Sequence, residues 1–287
     1  MQIDVCIVGG GIAGVFSSFY LKRFSIDSII VEKKEIGGLI RYANCVENFP
    51  FLKPSSGIEI TQKIKEIVFN NSLKFLMDNV IGIKYNNDLF EIETSLNKTI
   101  YSKYLILATG TIPFIPDCFK NVIGFIADFE DRFFHLYNME VCIIGGGDIA
   151  FDYALSLAKR NNKITIISRN IRAFKLLVDD CIKSGIKIFN NSTVKSIRMS
   201  NKKFNVEFCN KDNISLYFDY IIPACGRVPY YGDIKNIDKI IDENILEKKF
   251  FLCGDVKNKR NRYLVNSVSD AINISLKIKE FMYEGNC

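Results

Sequence analysis

Short apolar runs, each closed by glycines and followed by a longer stretch with helical spacing, set the rhythm of this chain. Asp4-Val-Cys-Ile-Val8 reads as a short buried strand, Gly9-Gly-Gly11-Ile-Ala-Gly14 as a turn, and Val15 to Arg23 as a helix. Ser28-Ile-Ile-Val-Glu32 is the next strand. The same order returns much later. Val141-Cys-Ile-Ile144 leads into Gly145-Gly-Gly147-Asp-Ile-Ala150, a helical run Phe151 to Arg160, and a strand Ile164-Thr-Ile-Ile-Ser168. Lys74 to Ile100 alternates and carries Asn86-Asn87-Asp88, a hairpin turn signal. Phe189 to Tyr220 looks like its counterpart in the second half. Near the end, Asn266 to Lys277 reads as an amphipathic helix with Val268, Ala271, Ile272 and Leu276 on one face.

The interval from Gly9 to Glu32 equals that from Gly145 to Ser168, so the two copies agree beyond their glycines. Each is strand, G-x-G-x-x-G/A, helix, the dinucleotide-binding fingerprint in its required context. The first glycine allows the tight turn, the second lets backbone approach a pyrophosphate, and the third, or alanine, lets the helix pack close to the strand. Phosphates then sit on the helix N-terminus, where free N–H groups and the macrodipole favour anions. The strand ends differ in chemistry. Glu32 suits a ribose 2′-hydroxyl, which FAD and NAD both offer. Ser168-Arg169, with Arg172 and Lys175 nearby, suits a 2′-phosphate, so NADP is preferred at the second site, with NAD possible.

Composition narrows the chemistry. The 287 residues are 48% hydrophobic and 24% charged, a globular composition long enough for two domains. A formal net charge of +6 is mild and dispersed, and Lys257-Asn-Lys-Arg-Asn-Arg262 reads as a solvated loop, so no nucleic-acid partner is expected. One histidine, His135, removes most metal sites and most Ser-His or Cys-His nucleophilic chemistry; neither a metal nor a catalytic side chain is expected. Nine scattered cysteines without a secretory signal point to the reducing cytoplasm. No apolar run reaches the length of a membrane span, so no membrane partner is expected.

With two nucleotide loops in place, further motifs become readable: Glu32 to Gly37-Gly38-Leu39, Val46-Glu-Asn-Phe-Pro50, Ala108-Thr-Gly110 and Phe251-Leu-Cys-Gly-Asp-Val256. In order and spacing the chain resembles the thioredoxin-reductase-like branch of the pyridine nucleotide-disulfide oxidoreductases over essentially its full length. The resemblance implies an α/β fold of two Rossmann-like dinucleotide-binding domains, each with a small β-meander. The FAD domain is expected over residues 1–112 and 228–287, with the NAD(P) domain, 113–227, inserted. Ile112-Pro-Phe-Ile-Pro116 and Gly226-Arg-Val-Pro229 form the crossings between them.

FAD would be held by Gly9, Gly11, Ile12, Ala13 and Gly14 at its pyrophosphate and by Glu32 and Lys33 at its adenosine. Gly38 and Leu39 would line the ribityl and ring region, with Asn48 near the isoalloxazine. Val80, Ala108, Thr109, Gly110, Gly254, Asp255 and Tyr263 complete that set. The second nucleotide would meet Gly145, Gly147, Asp148, Ile149, Ser168, Arg169 and Gly226. Tyr263 stands where thioredoxin reductases usually have Gln.

One family element is missing. No C-x-x-C occurs anywhere, and the two positions of the redox pair fall on Asp128 and Asp131. The run Gly147-Asp-Ile-Ala-Phe-Asp-Tyr-Ala154 is similar to that of ferredoxin-NADP reductases of the same architecture, which also lack the disulfide. The expectation is therefore a homodimeric FAD-dependent oxidoreductase taking hydride from NAD(P)H. It would pass electrons to an unidentified acceptor, such as an acidic redox protein of the ferredoxin or flavodoxin kind, or a small oxidant. Two alternatives stay open: a disulfide reductase using Cys45, Cys225, Cys253 or Cys287, and a flavin-binding module whose second site is lapsed or repurposed.

Overall fold

The computed structural model describes residues 1–49, 52–126, 131–235, 237–242, 249–258 and 261–284, without the side chains of residues 131, 132, 238, 239, 242 and 284. Strand β1 (Gln2–Val8) leads into helix α1 (Ile12–Arg23) and strand β2 (Ser28–Glu32). Then come α2 (Gly57–Asn70), β3 (Lys74–Met77), β4 (Val80–Asn86), β5 (Leu89–Thr94), β6 (Thr99–Leu107) and β7 (Thr111–Pro113). The second copy of the pattern forms β8 (Glu140–Ile144), α3 (Asp148–Ala158), β9 (Lys163–Ile167), α4 (Lys175–Lys183) and β10 (Lys187–Phe189). It continues as β11 (Thr193–Ser200), β12 (Lys203–Cys209), β13 (Asn213–Phe218), β14 (Tyr220–Pro223) and β15 (Arg227–Pro229). The chain then adds α5 (Ile237–Asp242), β16 (Phe250–Leu252) and α6 (Leu264–Glu284).

These elements divide into two compact units: residues 1–41, 46–111 and 229–287, and residues 42–45 with 112–228. In the first, the sheet order is β3-β2-β1-β6-β5-β4, with β16 also on β6. Strand β6 forks. Its first half pairs antiparallel with β5 (Ser102 opposite Phe90) and its last residues pair parallel with β16 (Leu105 opposite Phe250), while β1 runs parallel along nearly its whole length. Parallel strands covered on both faces read as unbroken apolar runs. Val5, Cys6, Ile7, Leu105, Ile106 and Leu107 are accordingly all fully buried. Phe90, Phe250 and Ile92 fill the core beneath the meander, and each such side chain contributes about 1.5–3 kcal/mol on burial.

The turn between β4 and β5 sits on Asn87 and Asp88, both at positive φ, as a tight hairpin demands. Helix α2 starts with a capping box: Ser56 Oγ accepts from Glu59 N–H, and the Glu59 carboxylate accepts from Ser56 N–H.

Helix α6 departs from the expected face. Leu276 is 38% exposed, whereas Ser267, Ala271, Ile274, Ser275 and Ile278 are buried. The reason is its partner. Ser275 Oγ donates to Ala271 O and Ser17 O, joining α6 to α1 through small residues at close range. Hydroxyls satisfied by backbone carbonyls can line a helix contact that a hydropathy pattern scores as polar.

The second unit repeats the parallel arrangement as β10-β9-β8-β14 and adds a separate antiparallel sheet, β11-β12-β13. Strand β12 alternates strictly: Phe204, Val206 and Phe208 are buried against Cys142, Ile144 and Ile221. Residues 42–45, expected within the first stretch of chain, group with this unit. Tyr42 stacks on Phe134 at 5.1 Å, and Asp152 of α3 accepts the N–H groups of Asn44 (2.9 Å) and Cys45 (3.4 Å). Strands β7 and β15 pair as a two-stranded ribbon, so the two proline-bearing crossings run side by side. Among the described residues, no helix is long and apolar enough to cross a membrane.

Candidate functional site

At the carboxyl end of β1 the chain turns so tightly that Gly9 touches the next strand. A Cβ on Gly9 would stand 2.4 Å from Ala108 O, and one on Gly14 would stand 1.9 Å from Gly9 O. Gly11 is the opposite case, with no atom within 4 Å of the place a Cβ would take. It is also the N-cap of α1 and offers no side-chain cap, so the first-turn N–H groups of α1 open onto that space. Gly37 N–H donates to Gly10 O, and Gly38 lies against Gly11. Gly254 packs on Ala13 and is tied to α6 through Asp270, which also accepts from Lys257 and Asn258. Glu32 closes the far side. Its two carboxylate oxygens accept from Gly10 N–H (2.7 Å) and Lys34 N–H (2.8 Å), leaving lone pairs for ribose hydroxyls. The open cradle, uncapped helix end and oriented carboxylate fit the diphosphate and ribose of FAD.

The second site has the same plan with different chemistry at its rim. A Cβ on Gly145 would stand 2.1 Å from Ala224 O, while Gly147, the uncapped N-cap of α3, again faces open space. The segment after β9 folds onto the turn, with Arg172 and Ala173 N–H both donating to Gly146 O. Asp148 points back to accept Phe174 N–H at the start of α4. Ser168 is buried, and its Oγ has no hydrogen-bond partner among the described residues. A buried hydroxyl in that condition, beside the exposed Arg169, fits a ligand oxygen arriving at the strand end. Beyond the turn lies a shallow, largely apolar recess, open in part to solvent, whose lining includes Ile149, Tyr153, Phe133, Ala224 and Gly226. The second turn fits a dinucleotide by the same tests as the first.

The expected residues converge unevenly. Gly9, Gly11, Ala13, Gly14, Glu32, Gly38, Ala108, Thr109 and Gly254 meet around the first turn, with Ile12 opening α1 and Asp255 in the short turn after β16. Val80 is a core residue, packed among Val8, Ile83 and Ile234, so a ligand can meet only its backbone. Asn48 lies exposed in a loop closed by the Val46–Ser55 bridge, and Tyr263 is 42% exposed just before α6. Asp128 lies outside the described residues, as do the Asp131 side chain, Cys287, Lys259 and Arg260. His135 is exposed in a short turn.

Tyr230 belongs to none of the sequence motifs, yet it is tied to the first site. Its N–H donates to Gly110 O, its carbonyl accepts from Thr109 Oγ1, and its hydroxyl meets Lys33. Asp152, half-buried on α3, has its carboxyl pushed up to about 6 by burial despite the two N–H groups it accepts. A lone Tyr after Pro229 and a lone Asp in a helical run carry no pattern of their own.

None of the described cysteines forms a disulfide. Burial pushes the Cys6, Cys181 and Cys253 thiols up to about 12 and Cys225 to about 11. Cys142 and Cys118 are raised by burial as well. Thiols so disposed stay protonated and are poor nucleophiles.

Known proteins of similar sequence and shape share this plan. A family model described as pyridine nucleotide-disulphide oxidoreductase matches residues 3–269. The thioredoxin reductase of Treponema pallidum is 27% identical, covering 93% of each chain. A 34.2 kDa protein in the rubredoxin operon of Clostridium pasteurianum is 29% identical, covering 98% of this chain and 97% of its own. The crystal structure of Lactococcus lactis thioredoxin reductase in its FR conformation aligns with a TM-score of 0.84 at 25% identity, over 98% of this chain and 99% of that one.

Proposed function

Because the chain belongs to the pyridine nucleotide-disulphide oxidoreductase family and is a flavin- and pyridine-nucleotide-dependent oxidoreductase, we propose that it takes electrons from NADPH through FAD to a small external carrier, without a C-x-x-C relay. The carrying observation is a pair of open phosphate cradles, at Gly11 and Gly147, in a sequence that has no C-x-x-C. Two intact nucleotide sites support the input half of the reaction, and the missing motif argues against the usual disulfide output.

The chemistry supplied when both groups are bound is hydride transfer from nicotinamide to flavin, with position and field left to the protein. This chain's part is then specific. The Gly9–Gly14 turn and the first-turn N–H groups of α1 would hold one pyrophosphate, with Glu32 orienting its ribose. The Gly145–Ala150 turn and α3 would hold the other. Ser168 and Arg169 would favour a 2′-phosphate over a bare hydroxyl, since no carboxylate stands there to repel it. Ile149 and Tyr153 would offer an apolar face beside that turn.

A ferredoxin-, flavodoxin- or rubredoxin-type acceptor is supported by the relative from a rubredoxin operon, and the net charge of +6 favours an acidic one. The thioredoxin reductases among the relatives favour a second reading, reduction of a disulfide through other cysteines. Of the cysteines this reading would use, Cys225 and Cys253 have thiols raised by burial and so held protonated, which weighs against those two.

One anaerobic experiment separates the readings: add NADPH, then NADH, to the purified holoprotein and follow the visible flavin band. Rapid bleaching, faster with NADPH, is expected; no bleaching with either would sink the proposal. Reoxidation by ferredoxin or rubredoxin supports a carrier, whereas reoxidation by oxidised thioredoxin alone supports the disulfide reading.

A further inference from the structure

We propose that Tyr230 and Lys33 form the adenine wall of the first dinucleotide site; this rests on the reading of that site as one for FAD. Tyr230 follows β15, and its backbone is clipped at both ends to the Ala108-Thr-Gly110 segment that follows β6. Its N–H donates to Gly110 O at 3.0 Å, and Thr109 Oγ1 donates to its carbonyl. The side chain is fixed as firmly. Its hydroxyl accepts from Lys33 Nζ at 2.9 Å and donates to Asp233 Oδ2 at 3.0 Å, while the Lys33 ammonium stands 4.5 Å from the ring centroid.

Lys33 is the residue after Glu32, at the end of β2, and Gly110 lies beyond the end of β6. The strand between β2 and β6 is β1, which runs into the Gly9 turn. The Lys33–Tyr230 bridge therefore spans the carboxyl end of β1, beside the carboxylate that would hold a ribose. A base attached to that ribose must leave Glu32 in the direction away from the phosphates, where the next residue is Lys33. Adenine is uncharged, flat and rich in acceptor nitrogens. An aromatic ring held immobile and a tethered ammonium are the complementary groups: one offers a face for stacking, the other a donor. Because backbone and hydroxyl are both anchored before a ligand arrives, the ring loses little freedom on binding.

The test uses the full-length protein stripped of flavin, with FAD, ADP and FMN as probes of binding and no turnover required. ADP carries the adenosine without the flavin, and FMN the flavin without the adenosine. Tyr230→Ala is expected to weaken FAD and ADP about 5- to 150-fold and to leave FMN at its wild-type affinity. Tyr230→Phe, which keeps the ring, is expected to retain most of the FAD and ADP affinity. Unchanged FAD and ADP binding by Y230A, or an equal loss for FMN, would overturn the adenine wall and leave the FAD reading standing. Wild-type protein that binds neither FAD nor ADP would overturn both.

Discussion

Gly11 and Gly14 stand three positions apart in one turn and respond to the same substitution in opposite ways. At Gly14 an added methyl meets a backbone oxygen at 1.9 Å, so G14A is expected to lose about 3 kcal/mol or more of stability, read by urea denaturation. At Gly11 the methyl meets nothing, so G11A should unfold at the wild-type denaturant concentration yet bind FAD about 5- to 150-fold more weakly, because it fills the phosphate's place. If G11A bound FAD normally, the cradle would have another use. At the second site, R169A is expected to raise the Kd for NADPH about 10- to 150-fold and leave NADH unchanged, the loss of a charge-assisted contact. Equal loss for both nucleotides would argue against a 2′-phosphate contact. The glycines were legible because their spacing is a pattern tied to one geometry. Tyr230, Ser267 and Ser275 were not, because their roles depend on which residue a distant segment brings beside them.

At the scale of elements, short buried strands and the helices behind the glycine turns could be read directly, since apolar runs and helical spacing report burial from one side or both. The fork of β6 and the small-residue contact of α1 with α6 could not. Both arise from pairing between segments far apart in sequence, on which local pattern is silent. The hold of α3 on residues 42–45 carries a pH dependence. Asp152 titrates near 6 in the fold, against an ordinary aspartate value near 4 when unfolded. Between those values the folded state binds more protons, so stability falls as pH rises through this window and is flat above it. Relative to D152N, wild type should therefore gain about 1 kcal/mol on going from pH 7 to pH 5, measured by denaturant unfolding at both pH values. A difference independent of pH would mean the carboxyl titrates normally.

The whole molecule combines two nucleotide-binding sheets, one built from a nearly continuous stretch and the other from three separated ones. The duplication was readable from sequence because two long motifs repeat with the same interval. The placing of residues 42–45 was not, because four residues carry too little pattern to reveal their neighbours. Thiol chemistry is set at this scale too. Cys6, Cys142, Cys181 and Cys253 are all buried, so native alkylation should leave these four unmodified until denaturant is added, as peptide mass mapping would record. Bleaching of the flavin by NADPH should survive that treatment. Its loss would show that a thiol outside those four takes part.

The fork of β6 also sets an order of assembly. Leu105 must wait for Phe250, and Ala13 and Ser17 for Gly254 and Ser275, before the first sheet and its helix are covered. During synthesis the second sheet is therefore whole while the first still has an open strand edge and a bare helix face, surfaces that invite aggregation. A chain ending at residue 249 should yield a protease-resistant fragment from the second unit and rapid cleavage within the first. The strands and helix made first are therefore expected to be the last to be covered.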